Sequence, residues 1–334
     1  MKNKKGLLWG IIGLIVVVLV GVGIFFFINK DKKNDTKKPD TPAEKEELKY
    51  APLLYKVTKE GSDNVIYLFG SIHVADERAY PIPEVVQKAF DESDYLAVEV
   101  DIVNMSQAET LEAIEPMMVE NGKMLKDYLS KDGYTKIVDF LRENGAYSPM
   151  MEAFKPAYIE SLVTSIAYIK GGLNANAGID VHFLGIAGNK EILEYENAKF
   201  QYELLASLPD AYYEKAILAM IEHIDESAEE TKHLYEAWYA GDEEKIIEYG
   251  NADEVASDEN DPVYIEFKEE LDEFNNKLLE QRNVGMVNKT IQFFEEGKKT
   301  FVVVGVLHVV GEEGLAHQLE LAGYKVEKID TLKR

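Results

Sequence analysis

The sequence predicts an α/β fold: a central, mostly parallel sheet with flanking helices and a large helical insertion, preceded by one N-terminal transmembrane helix. Two stretches far apart in the chain carry most of that prediction, Val65-Ile66-Tyr67-Leu68-Phe69-Gly70-Ser71-Ile72-His73-Val74 and Phe301-Val302-Val303-Val304-Gly305-Val306-Leu307-His308-Val309. Each is an unbroken apolar run of strand length followed by Gly, two residues, His and Val. Runs rich in Val, Ile and aromatics, without polar alternation, suit strands covered on both faces, as in a parallel sheet. The second observation is the succession of strand, helix and strand around these runs, which is the grammar of parallel crossover units. The third is Gly6 to Ile28, 23 residues without a charge and long enough to span a bilayer.

Lys2, Lys4 and Lys5 precede that apolar stretch, and Trp9 sits near its start. It is longer than the apolar core of a signal peptide and no small-x-small cleavage site follows, so it reads as an uncleaved anchor. Lys30, Lys32, Lys33, Lys37 and Lys38 flank its far side and nearly balance the positive-inside count. We read residues 1–5 as a cytoplasmic tail, 6–28 as a single-pass anchor in the cell membrane, and the globular body as lying outside the cell. Residues 29–49, rich in Lys, Asp, Glu, Thr and Pro, read as a solvated, disordered linker. The body, 50–334, opens with a strand near 51–55 paired with the run at 65–69. A short helix over 84–90 buries Val85, Val86 and Ala89, and a strand follows over 95–101. Helical patterns fill about 105–170 and 198–297, punctuated by Asn121-Gly122, Asp132-Gly133, Asn144-Gly145 and Pro209. Between them, 178–184 reads as a short helix or strand, and 191–196 as a strand ending in acids. A helix over 312–322 and a last strand over 324–329 follow the second Gly-x-x-His run.

Composition narrows the chemistry. There is no cysteine, which excludes disulfides, thiolate zinc sites and cysteine nucleophiles and leaves His, Asp, Glu and water to hold any metal. The net charge is −25, and the body beyond residue 50 carries 26 basic against 55 acidic residues. Such a body repels nucleic acid and anionic lipid, so no nucleic-acid role is expected. No His-Glu-x-x-His, Gly-x-Ser-x-Gly or phosphate-binding Gly-Lys-Ser motif is present, and the readings they would support fall away.

In open α/β sheets ligands sit beyond the carboxyl ends of the strands, where a glycine lets the backbone turn or approach closely. Gly70 and Gly305 therefore point to His73 and His308 as partners in one site, with a metal as the candidate occupant. Glu99 is an acid within an apolar run. Buried, it would cost several kcal/mol unless paired or bound to a cation; the alternative is a strand-end acid in solvent. Glu196 also ends an apolar segment, and Arg282 lies on the long helix leading back to the sheet. His182, His223, His233 and His317 share no repeated context and read as structural or exposed.

Seven ordered blocks carry a resemblance to the TraB/GumN family over about residues 51–331. They are 68–73 with Pro81; Leu96 to Asp101; Lys155-Pro156; Gly178-Ile179-Asp180; Glu196 with Gln201 and Leu208-Pro209; Arg282-Asn283; and 304–308 with Gly311, Gly314 and Gly323-Tyr324. The resemblance implies a divalent-metal-dependent hydrolase, proteolytic in the family's TIKI branch, that uses the two histidines and an acid. It also implies a peptide or protein substrate, since one bacterial membrane member shuts down peptide-pheromone signalling. On that footing His73, His308 and Glu99 are expected to bind Mn²⁺, Co²⁺ or Zn²⁺. Glu99 and Glu196 would share the duties of ligand and general base, and Arg282 would stabilise an oxyanion. Glu194-Tyr195-Glu196 replaces the family's Gly-Leu-Glu, and Ala157 stands where an aromatic often follows Lys-Pro, which bears on substrate preference. The alternative is a non-catalytic metal- or peptide-binding surface protein.

Overall fold

Six strands, β1 (Leu54–Thr58), β2 (Ile66–Ser71), β3 (Tyr95–Val98), β4 (Glu191–Glu194), β5 (Thr300–Gly305) and β6 (Lys325–Lys328), form one sheet in the order β4-β3-β5-β2-β1-β6. The computed structural model describes residues 49–250 and 262–332. The expected tail, the anchor at 6–28 and the linker up to residue 48 lie outside the described residues. Among the described residues, no helix is long and apolar enough to cross a membrane.

Strands β4, β3, β5 and β2 run parallel; β1 pairs antiparallel with β2, and β6 at the edge pairs antiparallel with β1. The short connection from β1 to β2 allows only a hairpin, whereas the parallel neighbours are joined through helices. β5 lies between β3 and β2 and is buried at all six positions, as its unbroken apolar run requires. Phe69 and Phe301 share a face of the sheet, and Phe183 packs on both of them with ring centroids 5.7 and 5.0 Å apart. Two expected strands are shorter than their apolar runs. β3 ends at Val98, just before Glu99 accepts from the backbone N–H of Gly305, and β4 ends at Glu194.

Helices α1 (Glu84–Asp91), α2 (Gln107–Ile114), α3 (Lys131–Glu143), α4 (Pro156–Lys170) and α5 (Ile179–Gly185) precede β4. Between β4 and β5 come α6 (Ala198–Leu205), α7 (Asp210–Glu222), α8 (Ile224–Ala240), α9 (Glu243–Gly250), α10 (Pro262–Glu266), α11 (Lys268–Leu278) and α12 (Glu280–Glu295). The short α13 (Val306–Val309) and α14 (Leu315–Leu321) follow β5. Local chemistry sets several boundaries. Ser106 and Glu109 exchange hydrogen bonds in a full capping box at the start of α2. Pro156 opens α4, where its missing N–H has no partner to lose. Gly241 ends α8 in the left-handed region that a Cβ disfavours.

The buried apolar residues gather in two clusters. One wraps the sheet with α1, α5, the end of α8, α9, α12 and α14. The other is wholly helical, built from α2, α3, α4, α6, α7, α10 and α11. The second helical run is thus not a single insertion: α6, α7, α10 and α11 join the helical cluster, whereas the end of α8, α9 and α12 cover the sheet. Trp238 of α8 fastens this cover by donating its indole N–H to the Gly70 carbonyl at 2.8 Å.

Glu160, inside α4, is buried in the helical cluster with one polar partner, the Thr164 hydroxyl at 3.2 Å. Burial pushes its carboxyl up to about 8 from the ordinary 4.5. An acid whose pKa rises on folding holds its proton longer in the native state, so stability is fullest below 4.5 and falls as pH climbs through 8. Glu160→Gln removes that loss. Thermal melts from pH 5 to 9 should show the variant gaining on the parent as pH rises, by a few kcal/mol at the alkaline end; parallel curves would show that Glu160 does not titrate in this range.

Candidate functional site

Because β2 and β5 are parallel neighbours, their two Gly-x-x-His motifs leave the same end of the sheet side by side. The pairing sets Ser71 opposite Gly305 and Gly70 opposite Val304, so the motifs are out of step by one residue. Their glycines accordingly do different things. A Cβ on Gly70 would lie 2.7 Å from Val306 Cγ2, so this glycine lets the turn after β5 close onto β2. A Cβ on Gly305 would lie 3.3 Å from Glu99 Oε1, 3.7 Å from His73 Nε2 and 3.7 Å from His308 Cδ2. One small space therefore looks onto both imidazoles and the carboxylate.

Each imidazole is turned by a partner on its other nitrogen. Asp180, near the start of α5, accepts from His73 Nδ1 at 2.8 Å and from the Ser71 hydroxyl at 2.7 Å. Asn283, on α12, stands with its Oδ1 2.6 Å from His308 Nδ1, and its amide nitrogen donates to the Glu313 carbonyl at 2.9 Å. Since that carbonyl can only accept, the amide oxygen must face His308, whose proton is then on Nδ1. Both rings thus keep Nε2 free for the site, the arrangement that partner groups impose on metal-binding histidines. Burial, then Arg282, pushes His308 down to about 3, so it stays neutral. Burial would also lower His73, but the Asp180 carboxylate, helped by Glu99, outweighs it and raises its pKa.

Arg282 organises the acids. Its Nη2 donates to Glu99 Oε2 at 2.6 Å, its Nε to Glu196 Oε1 at 2.7 Å and its Nη1 to the Leu278 carbonyl at 3.1 Å. Its side chain is 1 % exposed. Gln201, on α6, donates to Glu99 Oε2 at 3.2 Å and Glu196 Oε2 at 3.1 Å. Burial alone would raise Glu99, but Arg282, both imidazoles and the Gly305 N–H outweigh it and hold the carboxyl well below the usual range.

All five expected residues therefore meet, with a division of labour the sequence left open. Glu99 is the carboxylate that faces the histidines, its Oε1 3.9 Å from His308 Nε2. Glu196 lies across Arg282 from it. Arg282 is engaged by three protein acceptors, which is the geometry of a positioning residue more than of an oxyanion donor. Asp180, Asn283 and Gln201 were no part of the expected site. The only signal for them was their place in the blocks Gly178-Ile179-Asp180, Arg282-Asn283 and Glu196 with Gln201.

Among the described residues, no three His, Cys, Asp or Glu side chains stand in a ready metal-holding arrangement. The donors still suit a divalent ion. Two ligand atoms bound at about 2.1 Å in a tetrahedral site stand about 3.4 Å apart, and His308 Nε2 and Glu99 Oε1, 3.9 Å apart, would draw slightly together on an ion. Glu99 and Glu196 share one guanidinium and a third carboxylate, Asp180, bonds His73, so acids outnumber the fixed cation at the site.

A mostly parallel sheet with two oriented imidazoles and an arginine-bridged acid pair beyond its carboxyl edge defines an α/β protein with a buried histidine–carboxylate centre. The chain matches the TraB/PrgY/gumN family model over residues 53–328 and belongs to that family. Neither a curated protein nor a solved structure matches it.

Removing Arg282 leaves two carboxylates buried without their cation, which should cost about 3–5 kcal/mol. Chemical denaturation should rank the parent above Arg282→Lys, which keeps the charge but not the fork, and that variant above Arg282→Leu. Equal midpoints for parent and Arg282→Leu would contradict the network.

Proposed function

We propose that this chain is a divalent-metal-dependent hydrolase of peptides or proteins, anchored in the cell membrane by residues 6–28 with its body outside. The observation that carries the reading is the space at Gly305, ringed by His73 Nε2, His308 and Glu99 Oε1. Family membership supports it.

His73, His308 and Glu99 would hold a Mn²⁺, Co²⁺ or Zn²⁺ ion, since only nitrogen and oxygen donors are present. When bound, such an ion supplies Lewis acidity toward a carbonyl group and toward water. Asp180 and Asn283 keep both imidazoles turned with Nε2 inward. Arg282 and Gln201 fix the Glu99 carboxylate, so its position costs no reorganisation when substrate arrives. Glu196 shares both of those donors and, as the second carboxylate of the site, would serve as the general base.

Metal content and peptide hydrolysis by the purified full chain test this. Activity should vanish in excess chelator, and His73→Ala and His308→Ala should each lose roughly a hundredfold or more. Asn283→Ala and Asp180→Asn should weaken metal affinity roughly 10–100-fold. Gly305→Ala should impair metal binding, because its Cβ would crowd Glu99 Oε1 at 3.3 Å and fill the space between the imidazoles. Full activity in chelator or in either histidine variant would overturn the reading. Metal binding without turnover of any peptide in a library would favour the non-catalytic surface binder.

A further inference from the structure

A cavity of about 650 Å³ lies behind His308, bounded by the end of α11, the start of α12 and the turn from Val310 to Gly314. Its size is that of a small-molecule or side-chain pocket. It shares a wall with the candidate centre. Asn283 lines it while its Oδ1 meets His308 Nδ1, Leu307 precedes that histidine, and the Glu313 carbonyl holds the Asn283 amide.

The lining has two layers of different character. Leu278, Leu279, Leu307 and Val310 supply apolar surface, and Asp272, Glu280, Glu312 and Glu313 supply carboxylates. Among the described residues, no lysine, arginine or histidine lines it. Asp272 is matched by Lys268 at 3.0 Å, whereas Glu280, Glu312 and Glu313 enter no ion pair among the described residues. Glu280 accepts from the neutral Asn276 amide, and Glu313 from Gln318 at 3.5 Å, so neither has its charge cancelled.

Long basic side chains match this pairing of surfaces: their methylene stems cover apolar walls while their charged heads reach polar rims. An acidic side chain would meet three uncompensated carboxylates, and a purely apolar one would leave them facing it. We propose that this cavity, parted from the candidate centre by Asn283 and His308, is a subsite for an arginine- or lysine-bearing segment of the peptide substrate. The proposal rests on the peptide-hydrolase reading and names the substrate class for it.

Binding, read separately from turnover, tests it. The probe is a fluorescein-labelled octapeptide with two arginines flanked by leucines, compared with the same peptide carrying glutamates in place of the arginines. Anisotropy with the full chain at low salt should show the arginine peptide bound at least about tenfold tighter, an advantage that shrinks near 0.5 M salt as exposed charges are screened. Glu312→Gln/Glu313→Gln should weaken arginine-peptide binding by about fivefold or more while leaving metal content unchanged. Both side chains are exposed, so the fold should tolerate the exchange. The control is Asp139→Asn/Glu143→Gln on α3, which lines no part of the cavity and should have no effect. Equal binding of the two peptides, or equal losses in the double variant and the control, would overturn the subsite. The two readings fail separately. His73→Ala should keep the arginine preference while losing hydrolysis; a preference without hydrolysis in the parent sinks only the hydrolase, and hydrolysis without a preference sinks only the subsite.

Discussion

The grip of Arg282 on Glu99 and Glu196 is the constraint around which the centre is built. Taking two carboxylates out of water is costly, and the cost is offset only where hydrogen bonds of good geometry replace hydration. Here a rigid guanidinium fork supplies two of them, and Gln201 and the Gly305 N–H supply more. Glu99 and Glu196 lie at the ends of two adjacent parallel strands, Gln201 is on α6, and Arg282 comes from α12. One ion cluster therefore ties the sheet to two helices that are far apart in the chain. A lysine, with a single point charge, could not hold both acids in the same way.

The sheet supplies the second constraint. Parallel pairing of β2 with β5 brings both histidines to one edge, and the one-residue offset between their motifs gives each glycine a separate steric role. A repeat that looks symmetric in sequence becomes asymmetric in space. His73 sits in a loop held through Asp180 by α5, whereas His308 rides on a helical turn held through Asn283 by α12. The charge of the two partners differs as well. An ionised carboxylate raises the pKa of one ring, while the other ring has a neutral amide and a nearby guanidinium and stays low. Two imidazoles of unequal basicity around one space need not have equal roles.

Much of this was legible in the sequence, for identifiable reasons. A fully apolar run such as 301–304 has few ways to fold other than as a central strand, so the mostly parallel sheet could be expected. The histidines stood out because their context recurs, and Glu99 because a charge inside an apolar run needs a partner. The partners were not legible. Asp180 and Asn283 are short polar residues on helices, common anywhere, and nothing local says that each faces an imidazole from 107 or 25 positions away. The division of the second helical run between two cores was hidden for the same reason: an amphipathic stripe shows that a helix is half buried without naming the surface it meets.

The same physics links the buried centre to its surroundings. The body carries a large acidic excess, yet the acids at the centre are individually held, while Glu280, Glu312 and Glu313 around the cavity behind His308 have no ion-pair partner among the described residues. Held carboxylates are locked by short hydrogen bonds and define geometry; unheld ones contribute a field that a mobile cation can answer. Asn283 joins the two regimes, because one end of its amide orients His308 and the other is bonded to the turn that carries Glu312 and Glu313. A shift of that turn, whether from ligand binding or from substitution, reaches the imidazole through Asn283 as well as through the backbone that joins Val309 to Glu313. The orientation of His308 is therefore the quantity through which occupancy of the cavity would reach the chemistry.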